Sequence, residues 1–304
     1  MCIHTHPGGV VSTMTKSRFQ IAKGDIVEYF ERQGSKVYNI NDISRILDNN
    51  RKFWRLPVSL SSVDFAKLLI TYTQLKFHSF EFMSKIIQRF TWGNVSIFRI
   101  AASLEKNAYL SHYTALYLHG LTDQIPKKIY VTYEQRPKIR INKTLSQLDI
   151  DNAFHKPLRV SNNVAKYQDN SICLLNGQFS NNLGVITITN DTDETNVVTD
   201  IERTLIDITV RPVYSGGIFE VLSAFRKAVN KVSINKLAAR LKTLDYIYPY
   251  HQAIGFYLEK AGNYRDTQIE LLKSFDMKYD FYLDHAVEEV EYSKEWKLYY
   301  PKNF

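Results

Sequence analysis

The sequence predicts an α+β protein: a basic three-helix unit closed by a β-hairpin, then a larger mixed α/β unit that turns helical toward the C-terminus. Three observations predict it. Apolar residues recur at helical spacing up to Leu75, and from there to Trp92 they alternate. Residues 1–100 hold 14 Lys and Arg against 7 Asp and Glu, whereas the rest of the chain holds 25 against 24. Beyond residue 105, short strand-like runs separated by turn residues give way after Thr199 to capped amphipathic helices. At 304 residues the chain is long enough for two domains or one large one, and an apolar fraction of 44% fills at least one core.

Residues 1–16 hold Pro7, Gly8 and Gly9 and read as a flexible tail, with Met14 an alternative start. No basic region followed by an apolar run marks a secretory leader, and no run approaches the roughly 18 apolar residues of a membrane span. Cys2 and Cys173 stand far apart, without metal-ligand spacing. A cytoplasmic chain with no membrane partner, metal or cofactor is expected.

Ser17 caps a first helix with Ile26, Val27 and Phe30 on one face and Gly34 as its stop. Asn39 caps a second, which carries Ile40, Ile43, Ile46 and Leu47, with Asp42 adding negative charge to its first turn. Ser61 or Ser62 caps a third, whose core stripe is Phe65, Leu68, Leu69 and Tyr72. Two strands follow at 75–80 and 85–92, joined by a turn at Glu81–Ser84. Three helices and a hairpin in this order make a winged helix-turn-helix domain over residues 17–94. Its third helix would enter the major groove, with Ser61, Ser62, Lys67, Thr71 and Gln74 as candidate DNA contacts. Lys76, His78, Lys85 and Arg89 would make the wing basic, and Arg51, Lys52 and Arg55 would meet the phosphate backbone from the preceding loop.

A second domain is expected over residues 95–304. Val95–Leu104 reads as a helix, and Ser111 caps another through His119, stopped by Gly120. Strands are expected at Lys128–Tyr133, Leu158–Val160, Ile172–Leu175 and Leu183–Thr189, with Asn176-Gly177 as a hairpin turn. The runs Glu134–Lys143 and Asn190–Asn196 read as exposed. Thr199 and Glu202 form a capping box. Pro212 and Gly216-Gly217 separate that helix from one through Val229. Ser233 caps the next, and Pro249 opens a helix through Lys260 with Gly262 beyond. The aromatic tail through Phe304 is expected to dock back on the fold.

No phosphate loop, HExxH, GxSxG or CxxC is present, so no catalytic residue is assigned. Ser111-His112 invites a nucleophile–base reading, but successive residues on a helix do not face each other, and a capping Ser beside an unrelated His accounts for the pair. His119 is placed to bond terminal carbonyls of its own helix. Glu202, Arg203 and Asp207 form the best polar cluster, with Arg203 and Asp207 four apart on one face. Tyr248, Tyr250, His251 and Gln252 gather at a helix start, where the dipole would keep His251 neutral.

The segments Tyr109–Leu121, Asp200–Arg211 with Pro212 and Gly216-Gly217, Tyr248–Gly255 and Trp296–Pro301 together resemble the AbiEi family, over nearly the whole chain after Lys16. The resemblance implies an antitoxin of a type IV toxin–antitoxin system of the abortive-infection kind. It implies an N-terminal winged helix that binds inverted repeats in the operon's promoter as double-stranded DNA and represses transcription. The implied functional partner is a nucleotidyltransferase-like toxin, countered without a stable complex. Two alternatives stay open: an enzyme that modifies the toxin or a nucleic acid through the Glu202–Asp207 cluster or His251, and an interaction protein that covers the toxin directly.

Overall fold

Ser17 accepts a hydrogen bond from the Gln20 amide and Gln20 returns one to the Ser17 amide, so the chain enters α1 (Arg18–Arg32) through a capping box. The computed structural model describes residues 17–137, 144–189 and 194–304. The expected tail at 1–16, with Cys2 and Met14, and parts of the runs 134–143 and 190–196 lie outside the described residues. Helices make up 41% and strands 21%, and the fold class is α+β. Contacts divide the chain into two units: Met1–Ser79 with Gln88–Val95, and Phe80–Ile87 with Ser96–Phe304.

In the first unit α1 is followed by β1 (Val37–Tyr38), α2 (Ile40–Asn50), α3 (Ser62–Tyr72), β2 (Leu75–Phe82) and β3 (Lys85–Trp92). The strands form a sheet in the order β1-β3-β2. Asn39 and Asp42 make a full capping box at α2, and Ser61 caps α3 by accepting from the Asp64 amide at 3.1 Å. Phe30, Ile43, Leu47, Phe65 and Leu69 are fully buried, each worth about 1.5–3 kcal/mol against exposure. Phe30 stacks on Trp92 at 4.6 Å, which fastens α1 to the sheet. Two local expectations fail. Gly34 is not a left-handed stop, since α1 ends at an extended Gln33. Tyr72 is 40% exposed and leans on Phe19 at the rim instead of completing the core stripe.

The hairpin tip, residues 80–87, belongs to the second unit. Phe80 is fully buried there, its ring 4.9 Å from that of Tyr167. The unit continues through α4 (Ile97–Ala102), β4 (Tyr109–Leu110), α5 (His112–Leu118), β5 (Lys128–Glu134), α6 (Gln147–Phe154), β6 (Val164–Tyr167), β7 (Asn170–Gly177), β8 (Val185–Thr189) and β9 (Thr195–Thr199). These strands form a mixed sheet in the order β6-β7-β5-β4-β9-β8. Asn176-Gly177 is not a turn: it ends β7, paired in parallel with Tyr133 and Glu134 of β5. The hairpin lies earlier, where Gln168 takes φ 51° between β6 and β7. Leu158–Val160 forms no strand.

The last third is mostly helical: α7 (Ile201–Val210), α8 (Ile218–Ala228), α9 (Ile234–Leu244), α10 (Tyr250–Ala261) and α11 (Asp266–Lys273). Their apolar faces share one core with α5 and α6, including Leu205, Phe225, Leu237 and Tyr257. The tail forms a small sheet of β10 (Phe281–Tyr282), β11 (Val290–Ser293) and β12 (Leu298–Pro301), ordered β10-β12-β11. Trp296 anchors it, fully buried against Gly255. A Cβ at position 255 would lie 2.7 Å from Trp296 Cε3 and closer still to Cζ3 and Cη2, so only glycine fits. Among the described residues no helix is long and apolar enough to cross a membrane.

Candidate nucleic-acid interface and the polar centre of the second unit

Helix α3 has two faces. Phe65, Ala66 and Leu69 are buried, while Val63, Lys67, Ile70 and Thr71 are exposed. These four stand at i, i+4, i+7 and i+8, so they share one solvent-facing stripe. Lys67 pairs with Asp64 at 3.2 Å, both side chains being more than half exposed. The Asp64 carboxyl is held below its usual range, first by the Ser61 hydroxyl and then by Lys67. Thr71 Oγ1 donates to the Lys67 carbonyl at 2.8 Å, a bond it can exchange for an outside acceptor. Ser62 is the first residue of the helix and half-buried. Gln74 lies beyond the end of α3 and bonds the Glu31 carboxylate, so it is not part of the stripe.

The other expected phosphate contacts divide sharply. Lys52 and Arg55 are exposed in the loop before α3. Arg51, expected to meet phosphate, is engaged within its own loop: its guanidinium donates to the carbonyls of Pro57 at 2.6 Å and Leu60 at 3.0 Å and pairs with Asp48, tying the loop shut. Lys76 donates to Asn94 at 2.7 Å and stays exposed. His78 adds no charge to the wing: its Nε2 lies 2.7 Å from Thr91 Oγ1, and burial, then Lys76, lowers its pKa. Lys85 at the tip is neutralised by Glu105, and Arg89 is half-buried, donating to the Gln88 carbonyl at 2.8 Å. The expectation of a broadly basic wing is therefore corrected, because local partners take up most of its donors.

In the second unit the start of α7 is a polar centre. The cap is Asp200, not Thr199: Asp200 accepts from the Arg203 amide at 3.0 Å, whereas Thr199 ends β9 and meets Thr204 Oγ1 at 2.8 Å. Arg203 Nε donates to Asp207 at 2.7 Å, and its Nη1 donates to Ser180 Oγ at 3.0 Å and to the Leu183 carbonyl at 2.9 Å. Burial works to lower the Arg203 pKa, but Asp207, Tyr109 and Tyr246 together more than offset it, and the guanidinium stays charged. Gly184, at φ +76°, leaves room for this side chain: a Cβ there would lie 2.9 Å from Arg203 Cβ. Glu202 points elsewhere. Its carboxylate accepts from the Ser233 amide at 2.9 Å and pairs with Lys236 at 3.0 Å, while Asp200 pairs with Lys236 and Arg240. The expected Glu202–Arg203–Asp207 cluster is thus two networks: one locks α7 to α9, the other locks α7 to the loop before β8. Glu134 adds a third tie, accepting from the Ser180 amide at 2.9 Å. Lys236, Arg240 and Glu134 carry no local signal, since each reaches its partner from a remote part of the chain.

Ser111 and His112 do meet, against the expectation for successive helical residues. His112 takes φ 51°, which brings its Nδ1 to 2.9 Å from Ser111 Oγ, and Ser111 Oγ lies 2.7 Å from Thr132 Oγ1. The Ser111 side chain therefore makes no cap. Both residues are buried, and burial lowers the His112 pKa to about 4 despite the pull of Asp207. His112 can accept a proton from Ser111, but no substrate reaches a serine with zero exposure. His119 Nε2 meets the Thr199 carbonyl at 2.6 Å across the fold, and Lys231 caps the end of α5 instead, at 3.1 Å from the carbonyls of His119 and Gly120.

Tyr248 and Tyr250 pack on Phe281, and Gln252 is fully buried. Gln252 Nε2 donates to the carbonyls of Tyr279, Trp296 and Lys297 at 2.7–3.0 Å, holding the tail against α10. His251 stacks on Phe275, and burial lowers its pKa to about 4 against the pull of Asp276. Among the described residues no group of three or more His, Cys, Asp or Glu could hold a metal ion.

No protein-family model matches the chain, and no curated protein sequence matches it. Its fold is similar to the crystal structure of the RV2827C protein from Mycobacterium tuberculosis, with a TM-score of 0.57 over 92% of this chain and 91% of that chain. At 12% identity this likeness is one of fold.

Proposed function

We propose that the protein is a cytoplasmic, non-enzymatic antitoxin of a type IV toxin–antitoxin system that represses its own operon by binding inverted-repeat promoter DNA. The observation that carries the DNA half is the solvent stripe of α3. Val63, Lys67, Ile70 and Thr71 are exposed on a helix whose opposite face is fully committed to the core. The apolar pair suits thymine methyl groups, and the Lys and Thr suit phosphates and base edges. Exposed Lys52 and Arg55 precede the helix and Lys76 follows it. The antitoxin half rests on the AbiEi-like segments Tyr109–Leu121, Asp200–Arg211, Tyr248–Gly255 and Trp296–Pro301. The toxin is then a nucleotidyltransferase-like protein. A non-catalytic second unit is supported by the pairing and burial of Arg203, Asp207, Glu202 and Ser111.

Fluorescence anisotropy with the chain's own promoter repeat tests the reading. Lys67→Ala with Thr71→Ala should weaken binding at least tenfold, with melting unchanged. Binding indifferent to this pair and to salt would remove α3 as the reading helix.

A further inference from the structure

We propose that Phe53 is a wedge: its ring enters a base step of the duplex that α3 reads and selects a flexible pyrimidine–purine step there. The inference rests on the reading of α3 as a DNA-binding helix, and it adds a residue that makes no base-edge hydrogen bond. Phe53 sits in the loop between α2 and α3 and is 71% exposed. The residues around it alternate in and out. Trp54 is buried, its ring 5.5 Å from that of Tyr29 and 5.8 Å from that of Phe65, and Leu56 is buried as well. Lys52 and Arg55 face solvent, as Phe53 does.

The loop that presents the ring is fixed by its own bonds. The Trp54 amide donates to the Asn50 carbonyl at 2.9 Å, the Arg55 amide to that of Lys52 at 3.1 Å and the Leu56 amide to that of Arg51 at 3.0 Å. Arg51 ties the far end of the loop through the carbonyls of Pro57 and Leu60. Arg55 takes φ 52°, a left-handed conformation that a residue with a side chain keeps only where its surroundings hold it. A ring carried on a fixed backbone gives up little further freedom on insertion, which favours its use as an anchor.

Charge identifies the occupant. Residues 49–60 contain Arg51, Lys52 and Arg55 and no acid. Neither Lys52 nor Arg55 enters an ion pair among the described residues, whereas Arg51 is taken by Asp48. A duplex receives both cations on its phosphates and the ring between its bases. A protein surface would have to supply an acid for each of them beside an apolar pocket. Apolar side chains that enter duplexes unstack the step they enter, and TA and CA/TG steps unstack most easily. The wedge therefore reads deformability where it touches no base edge. A lone exposed Phe is ordinary. One flanked by two unpaired cations, on a fixed loop that leads into the candidate reading helix, is not.

The test uses the full chain and duplexes of its own promoter repeat with 2-aminopurine in place of single adenines, since every TA or CA/TG step contains one. Fluorescence should rise on binding at one step, where the base is unstacked. Phe53→Ala should abolish that rise and weaken binding about tenfold, the usual size of one base–aromatic stack, with salt slope and melting temperature unchanged. Phe53→Leu, still an apolar wedge, should keep most of the rise. Lys52→Ala should instead flatten the slope of log K against log salt by about 0.9 and leave the rise in place. Replacing the step by stiff AA should weaken the parent but not Phe53→Ala. A rise that persists in Phe53→Ala, or binding by that variant equal to the parent's, would overturn the wedge. Should Lys67→Ala with Thr71→Ala still weaken binding in that case, the wedge alone falls; a parent that binds no duplex takes the reading of α3 down with it. The fluorescence scan uses the unaltered chain, so a flat scan at every adenine overturns the proposal whether or not a variant folds.

Discussion

Breaking the Arg203–Asp207 pair should cost far more than removing both of its members. Both side chains are under 10% exposed, and the Nε to Oδ1 distance is 2.7 Å. In Asp207→Asn the guanidinium keeps its bonds to Ser180 and Leu183 but loses its counter-charge in a buried setting. Uncompensated burial of this kind costs about 3–5 kcal/mol. For a unit of this size each kcal/mol lowers the melting temperature by about 2–4 °C, so the expected drop is about 6–20 °C. Arg203→Met with Asp207→Leu removes both charges. It leaves only the Leu183 carbonyl short of a partner, since the Ser180 hydroxyl still donates to Glu134, an expense of about 1–3 kcal/mol. The double variant should therefore melt above the single one. Differential scanning calorimetry, with the second-unit transition followed, reads both. A single variant within 2 °C of the parent, or a double variant melting below the single, would refute the claim that this pair is a buried structural lock.

Gly255→Ala should expel the Trp296 ring, costing about 1–3 kcal/mol in overpacking, and should red-shift tryptophan fluorescence; an unchanged spectrum counts against the close fit. Arg51→Ala should lose about 1–3 kcal/mol, because the Leu60 carbonyl goes unpaired and the Pro57 carbonyl keeps only the Leu60 amide, whereas Lys52→Ala and Arg55→Ala should leave urea midpoints unchanged. Stability should also fall in mild acid. His112 titrates near 4 when folded and near its ordinary value of about 6.5 when unfolded, so the unfolded chain binds more protons between those values. The stabilisation is full above about pH 6.5 and is lost as pH falls toward 4, by about 2 kcal/mol at pH 5. His251, also held near 4 by burial, adds in the same direction. Melting temperatures of the parent and His112→Gln at pH 7.5 and 5 check this: the variant should show a shallower pH slope.

What could be read from the sequence is what the chain settles within about four residues. Ser17, Asn39, Ser61 and Ser233 all cap as their side chains dictate, and Gly262 ends α10 in the left-handed region. Arg203 and Asp207 meet because i and i+4 share a helix face. The misreadings arise where a remote partner overrides a local preference. Asn176-Gly177 has turn chemistry, but parallel pairing with β5 extends β7 through both residues. Thr199 has cap chemistry, but β9 claims it and leaves the role to Asp200. Ser111 and His112 face each other only because His112 adopts φ 51°, which no helical rule anticipates. Glu202 found its partners on α9, a juxtaposition with no local signature.

The charge of the first hundred residues, taken as a total, overstates what DNA can feel. Of the expected contacts, Arg51 is spent on carbonyls, Lys85 on Glu105, and His78 is neutral. Arg89 is half-buried. Four cations remain exposed in or around the α3 stripe: Lys52, Arg55, Lys67 and Lys76. Each phosphate neutralised contributes about −0.9 to the slope of log K against log salt, so one copy should give a slope near −3 to −4. Such a slope describes a weak single-site binder, and an inverted repeat supplies a remedy. Two copies on two half-sites should double it to about −6 to −8. Titrating anisotropy on half-repeat and full-repeat duplexes between 50 and 200 mM salt separates the cases. A half-repeat slope near −6 would mean that Arg51, Lys85 and Arg89 reach phosphate after all, and a slope near zero on both duplexes would leave this helix without a nucleic-acid role.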